Sequence, residues 1–467
     1  MRRRRLSLAF VLLAATPAWT ACTVGANYSR PPTPSPAQYR FVNGAEAESL
    51  ADVPWFEVFQ DASLQALIRE ALANNLDLRS AAAHVEEARA RAGVVKSFLY
   101  PRVDGVAQGT VGQASTALNE GSDDEGNTRA SGVFGFQLSW ELDLFGRIRR
   151  EHESALAFVL ASEQGRRGII VTLIGDVASN YFLLRELDLQ LEIARRTLTL
   201  NDDTVTYFQN RLDGGVSNRL EVDRIRALRS ETAVAIPQIQ QQIAIVEHAL
   251  SLLLGRPPGP IDRIALGDEQ VPPPIPPGLP AQLLERRPDV LQAEQLLVAA
   301  NADIGVAKAR FFPTISLTGF LGGVSGDLVN LMGQGGLWSS TLGLFQPVFQ
   351  GGRLRRELEA AQARFDVALA DYQKAALNGY REVANSLITI QKLAEVRVER
   401  EIGVAVLVDA SDLSRARYDS GLASYLEILT ADQDRFAQEL RLAQTRGAEL
   451  RARAELYRTL GGGWQQP

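Results

Sequence analysis

Gly146-Arg147-Ile148-Arg149-Arg150-Glu151 is read again 206 residues later as Gly352-Arg353-Leu354-Arg355-Arg356-Glu357. The same offset carries Asp176-Val177-Ala178 to Glu382-Val383-Ala384, and Arg211-Leu212-Asp213-Gly214-Gly215-Val216 to Arg417-Tyr418-Asp419-Ser420-Gly421-Leu422. Leu254-Gly255 returns as Leu460-Gly461. Upstream, Gly93-Val94-Val95-Lys96 with Tyr100-Pro101 returns as Gly305-Val306-Ala307-Lys308 with Phe312-Pro313, now at an offset of 212. The chain is an internal duplication. One length change of six residues falls between Pro101 and Gly146, in a segment that tolerates it.

Each repeat reads as helix, two strands, very long helix, long helix. The first spans residues 61–255, with helices over about 76–98, 146–213 and 217–254 and strands over about 101–114 and 131–145. The second spans 283–461, with helices over about 288–310, 352–420 and 423–460 and strands over about 313–324 and 337–349. A proline-crowded linker, 256–282, separates them, because proline there leaves no continuous helix or central strand, and 462–467 is a short tail. Alternation is sharpest before Gly146. Phe134, Phe136, Leu138, Trp140, Leu142 and Leu144 fall on one face, and Gly135, Gln137, Ser139, Glu141 and Asp143 on the other. A strand with one large apolar and one polar face suits a half-buried sheet or a membrane barrel. The stretch 146–213 contains no proline and would reach roughly 100 Å as a helix. Its Leu184, Leu187, Leu191, Ala194, Leu198, Asn201, Val205, Phe208 and Leu212 follow a heptad spacing. Gly214-Gly215 and Ser420-Gly421 mark the reversals between paired helices, where positive φ is needed. Four strands cannot close a barrel with a lumen, and open edges cannot stand in lipid. Membrane-inserted hairpins would therefore need several chains to complete one barrel.

The 467 residues carry a formal net charge of −6 and one cysteine, Cys22. That balance signals no polybasic nucleic-acid surface, and a lone cysteine excludes an internal disulfide or a thiolate metal cluster. His84, His152 and His248 lack metal-ligand spacing, and the glycine tracts lack a phosphate-loop Lys-Ser/Thr. No catalytic, cofactor or metal constellation is present, so an enzyme is not expected. Arg2 to Arg5 followed by the apolar run Leu6 to Ala15 form a targeting segment over residues 1–21. The string Trp19-Thr20-Ala21-Cys22 resembles a bacterial lipoprotein signal, with Trp19 where Leu is usual; it implies lipidation of Cys22. Residues 22–60, with Pro31, Pro32, Pro34 and Pro36, read as an extended tether.

Taken together, several strings resemble the TolC-like outer membrane factors, and among them the NodT-type outer membrane lipoproteins of RND efflux systems. They are Leu253-Leu254-Gly255-Arg256-Pro257-Pro258, Leu283-Leu284-Glu285-Arg286-Arg287-Pro288-Asp289-Val290, Phe311-Phe312-Pro313, and Leu456-Tyr457-Arg458 with Gly461-Gly462-Gly463-Trp464. The resemblance spans essentially the whole chain. It implies an α+β fold of tandem long α-helical hairpins and β-hairpins. As a homotrimer, this would form a 12-stranded outer-membrane β-barrel continued by a periplasmic α-helical barrel. It also implies a lipid-anchored protein of the cell outer membrane that docks a periplasmic adaptor and an inner-membrane RND-type pump and serves as a passive exit duct. Carried over by position, Glu221, Arg417, Tyr418, Leu426 and Glu427 would form a periplasmic gate, with Thr430 where a second acidic ring is common. Gly215, Val216, Ser217, Gly421, Leu422 and Ala423 would be the tips that touch the adaptor. Phe134, Phe136, Leu138, Trp140, Leu142 and Trp338 would face lipid. The rival reading is a lipid-anchored periplasmic coiled-coil scaffold without a pore. The polar strand residues Gln137, Glu141 and Asp143 favour the pore.

Overall fold

Helix and strand periodicities become elements in the order α1 (Trp55–Val58), α2 (Ala62–Asn74), α3 (Leu76–Ser97), β1 (Arg102–Gln113), β2 (Thr128–Leu142), α4 (Arg147–Asp213) and α5 (Arg219–Leu253). The second half follows as α6 (Pro288–Ala309), β3 (Thr314–Ser325), β4 (Gly336–Phe345), α7 (Arg353–Asp419) and α8 (Tyr425–Thr459). These come from a computed structural model that describes residues 23–33, 35–36, 54–113, 128–264, 283, 285–325 and 336–462. Cys22 and the targeting segment, residues 114–127 between the first two strands and most of the 256–282 linker lie outside the described residues.

The chain divides into two compact units: Met1–Pro32, His84–Ser162 and Ala293–Tyr372 in one, and Thr33–Ala83, Glu163–Gln292 and Gln373–Pro467 in the other. The first contains the sheet. Its four strands lie in the order β1-β2-β3-β4, all antiparallel. The duplication is visible in the register. Arg102 pairs with Ser139; shifting these by 212 and 206 gives Thr314 and Phe345, which also pair. Gly109 with Gly132 likewise becomes Leu321 with Trp338. The six-residue length change therefore sits in the hairpin loop and leaves strand pairing untouched. Strand β2 ends at Leu142, three residues before the alternation runs out. Asp143 turns back instead, accepting from the backbone N–H groups of Ile148 (3.2 Å) and Arg149 (2.9 Å) at the start of α4. Strand β4 ends at Phe345, just before Pro347, which has no N–H to give a ladder.

The expected tether is not a free spacer. Residues 23–30 form neither helix nor strand and are held within the sheet-bearing unit. Val24 N–H donates to the Phe145 carbonyl (3.1 Å), and Arg150, 2% exposed, donates to the carbonyls of Val24 and Gly25 and to Asn27 Oδ1. Further along this strap, Tyr28 and Arg30 both bond the carboxylate of Glu294 on α6, and Asn301 donates to the Ala26 carbonyl. Polar side chains on and facing this segment, above all Arg150 and Glu294, decide that it is docked.

The second unit has its largest core where α2, α4, α5 and α8 meet, around Trp55, Leu64, Ile68, Ile174, Tyr181, Leu184, Leu250 and Tyr457. Packed structure thus begins by Trp55, inside the stretch expected to be tether. Trp55 and Phe59 are buried because α1 folds back on this core. Asp61 caps α2 through the N–H groups of Ser63 and Leu64 and also accepts from Tyr181 Oη (2.6 Å) and the fully buried Arg185 (3.1 Å). The duplication again shows at a tie between elements. Asn75 Nδ2 donates to the Leu253 carbonyl (2.9 Å), and at the matching positions Arg287 Nη1 donates to the Thr459 carbonyl (2.7 Å). Arg287 additionally pairs with Asp289 (2.6 Å) and Glu382 (2.8 Å). Arg287→Ala removes a charged donor from a buried position, and should cost about 2 kcal/mol, the worth of a hydrogen bond to a charged group. Chemical denaturation of the purified protein should show the lowered midpoint, with Arg287→Lys intermediate.

Candidate functional site

Register turns the sheet into two chemically distinct faces. On one, Gly105, Phe136, Leu321 and Trp338 stand in a row across the four strands, beside Val103, Leu138 and Gly319. Trp140 and Leu142 continue that face against Leu317 and Ile315. On the other face, Arg102, Ser139, Thr318 and Thr341 form a polar row. The apolar face is not covered. Phe134, Phe136, Leu321, Leu342 and Leu344 are exposed, and Trp338 is 76% exposed. A contiguous patch of this kind marks a surface made for a partner or for lipid. Trp140 differs from its neighbours: it is half-buried, and its Nε1 donates to the Leu99 carbonyl (3.0 Å), fixing its ring over the start of β1. Among the described residues, β1 and β4 each have one strand neighbour only.

Below the sheet, the repeated Gly-Arg-x-Arg-Arg-Glu strings open α4 and α7. Arg147 pairs with Glu141 (2.9 Å) and Glu151 (3.1 Å), and its counterpart Arg353 pairs with Glu357 (2.6 Å). The third arginines have diverged: Arg150 is sunk under the strap, whereas the side chain of Arg356 is 82% exposed and pairs with Glu359.

The second unit carries the two helix reversals, and they are built alike. Gly215 N–H bonds the Leu212 carbonyl (2.9 Å) and Val216 N–H the Arg211 carbonyl (2.9 Å); Gly421 and Leu422 repeat this on Tyr418 and Arg417 (2.9 and 2.8 Å). Gly215 and Gly421 take φ of +75° and +73°, which closes each helix C-terminus. The tips are apolar and open: Val216 is 68% and Leu422 72% exposed, and Leu220 and Leu426 are also exposed. Ser217 and Ala423 lie in the turns, and Ser217 Oγ donates to Glu221 (2.6 Å), whose N–H is capped by Asn218 (3.0 Å).

Behind the tips lies a small aromatic core. Phe208 and Val222 and Ile225 of the first hairpin pack against Tyr425 and Ile428 of the second, with Phe208 and Tyr425 ring centroids 4.1 Å apart. Tyr418 leans on Phe208 (5.7 Å) and Tyr425 (5.7 Å), and the Arg211 guanidinium lies over its ring (5.5 Å). Burial raises the Tyr418 hydroxyl above its ordinary value; Arg211 opposes this and Glu221 adds to it. Arg417 pairs with Glu427 (3.6 Å) across its own hairpin, and Glu221 is engaged by Ser217. Sequence reading missed Arg211, Phe208 and Tyr425 as participants. The repeat itself could have flagged Arg211, since it is the counterpart of Arg417.

With this geometry in hand, comparison with known proteins is specific. The family described as outer membrane efflux protein matches twice, over residues 67–256 and 279–462, one match per repeat. The chain is 35% identical to the solvent efflux pump outer membrane protein SrpC of Pseudomonas putida, over 95% of this chain and 96% of that one. It is 33% identical to the cation efflux system protein CusC of Escherichia coli K12, over 96% and 97%. Among solved structures, the open state of the Neisseria gonorrhoeae MtrE outer membrane channel aligns with a TM-score of 0.86 at 28% identity, covering 95% of this chain and 99% of that one. The outer-membrane channel OprN aligns with a TM-score of 0.86 at 32% identity, covering 95% and 100%.

Proposed function

The chain belongs to the outer membrane efflux protein family, and from that premise we infer how its parts work. It is the outer-membrane channel component of a tripartite efflux system, a homotrimer that works with a periplasmic adaptor and an inner-membrane RND-type pump. The observation that carries this is the four-stranded sheet with one uncovered apolar face, one polar face and two unpaired edges. Three such sheets make a closed barrel, apolar toward lipid and polar toward a water-filled lumen. Phe134, Phe136, Leu138, Trp140 and Leu142 face lipid in this arrangement, and lipidated Cys22 adds an anchor. Phe136→Arg should then cost about 2–4 kcal/mol if it lies near the bilayer midplane. It should reduce recovered trimer on semi-native gels, while Gln137→Arg on the polar face leaves the yield unchanged.

The duct is passive and does no chemistry on its cargo. Its relatives serve solvents in one case and cations in another, by name. Cargo so unlike is suited to a conduit whose selectivity resides in the pump. Val216, Ser217, Leu422 and Ala423, carried by Gly215 and Gly421, form the adaptor-facing tips. Glu221, Arg417, Tyr418, Leu426 and Glu427 form the gate. The pair Arg417–Glu427 and the Arg211–Tyr418 stacking hold the second hairpin inward, and each exposed link is worth below ~1 kcal/mol. Threefold repetition sums them into a closed state that adaptor binding can overcome.

Planar-bilayer recording tests both levels. Purified trimer should insert and conduct; a protein that never conducts, even with its tips altered, is a scaffold. Arg417→Ser combined with Tyr418→Phe should raise single-channel conductance, and Glu427→Gln should add little to it because the same pair is already broken. Unchanged conductance in all of them would place the constriction elsewhere.

A further inference from the structure

The polar face of the sheet is interrupted. Apart from Phe345 at the end of β4, the apolar side chains that the described strands place on it lie close together. They are Val106 on β1, Val133 on β2, Phe320 and Val324 on β3, and Leu337 on β4. Pairing gathers them. Val106, Gly135, Gly322 and Leu337 form one row across the four strands, and Val133 pairs with Val324 in the next. Diagonal neighbours on one face are within reach of each other, so Val106 meets Val133 and Val324 meets Leu337. Phe320 stands in the row on the helix side, and its ring leans over Gly135, where an added Cβ would lie 3.0 Å from Phe320 Cζ. Arg102 and Asp104 bound the patch toward the helices, and Thr110 and Arg129 bound it toward the hairpin loops.

The duplication shows that this grouping does not follow from the repeated strand pattern. At the counterpart positions, 212 or 206 residues away, Val106 becomes Thr318, Val133 becomes Ser339 and Phe320 becomes Gln108; Val324 becomes Gly112 and Leu337 becomes Ser131. Each chain therefore carries one such patch, and three would line a closed barrel. The patch is open, with Leu337 47% and Val324 43% exposed. In the closed barrel lipid lies against the opposite face of the sheet, and only the water-filled lumen fronts this one. What reaches the patch there is a solute in transit. We propose, on the reading that copies of this sheet close an outer-membrane barrel, that the patch is a binding site in the lumen wall for small, uncharged, apolar cargo. Such a molecule gains by removing the exposed Leu337 and Val324 surface from water together with its own. Ions and polar solutes find no partner there and meet only the charged side chains that bound it. The duct is then driven by its pump without being indifferent to what passes.

The test labels introduced cysteines of the full-length chain in outer membranes with a sulfonated maleimide, which is too polar to cross lipid. Labelling is followed by mass spectrometry on the peptide carrying the introduced cysteine, with and without naphthalene as the apolar probe. Ser339→Cys, paired with Phe320 at the edge of the patch, should be labelled, and naphthalene should slow it severalfold. Gly112→Cys lies on the same face beyond the patch, where an added Cβ meets nothing within 4 Å; its rate should not change. Adding Leu337→Ser and Val324→Ser, both at exposed positions, should abolish the protection of Ser339→Cys. Leu342→Cys, on the lipid face, should stay unlabelled. Slowing at both lumen cysteines or at neither overturns the site, as does protection that survives the loss of Leu337 and Val324. A Ser339→Cys that resists labelling while Gly112→Cys reacts means that the chain's own hairpin segments cover the patch, and this overturns the site too. Labelling of Leu342→Cys in place of both lumen cysteines puts water on the other face and overturns the barrel reading instead.

Discussion

A chain carrying Gly322→Val should be exported yet give no heat-resistant oligomer in mild detergent. A Cβ at position 322 would run into the Phe134 carbonyl oxygen and come within 2.6 Å of Gly135 Cα. These are backbone atoms of the neighbouring strand, so no rotamer change can relieve the clash, and β2 must separate from β3. That seam joins the two repeats, and losing it leaves two hairpins, each too small to persist alone. Gly319→Ala is the control. Its added methyl would sit 3.5 Å from the Ser339 carbonyl oxygen and 3.7 Å from Leu138 Cβ, which is ordinary contact, and its oligomer should survive heating like the parent. Semi-native gels of the two variants decide the matter.

Phe208→Ala should have the largest effect in the helical unit. Phe208 is 2% exposed, and its ring packs against both Tyr418 and Tyr425 of the other hairpin. Truncating a buried Phe costs about 3–5 kcal/mol, and here the loss falls on the contact that keeps the two hairpins together near their reversals. Limited proteolysis should cut at the tips, and single-channel conductance should rise with added noise. Leu426→Ser makes a useful contrast. Leu426 is exposed and belongs to no core cluster, so its replacement should alter conductance without opening the tips to protease.

The long helices and the strands were legible because each obeys one period over many residues and the duplication gave a second reading of it, whereas the short α1 and α2, read once only, were not foreseen. Alternation from Phe134 to Leu142 needs only the sequence to assign faces, and register then extends those faces across four strands. What escaped is held by single tertiary bonds. The strap has no period to read: Arg150 and Glu294, which secure it, lie more than a hundred residues away and look like ordinary helix charges. The equivalence of Asn75 and Arg287 was hidden because unlike side chains make the same tie. Near the reversals, sequence singled out Glu221, Arg417, Tyr418, Leu426 and Glu427 but not their partners within the chain. Several acids flank the reversals, and only the hairpin geometry selects Glu427 for Arg417 and Ser217 for Glu221.

The strap has no counterpart among the described residues of the second repeat, and this affects stoichiometry. Each chain has two near-identical helix reversals but one strap. In a trimer, a partner gripping the reversals meets six similar seats, two from each chain, whereas a partner gripping the strap meets three. The same duct therefore offers different multiplicities to different binders. A titration that saturates at two per chain points to the reversals, and one that saturates at one per chain points to the strap.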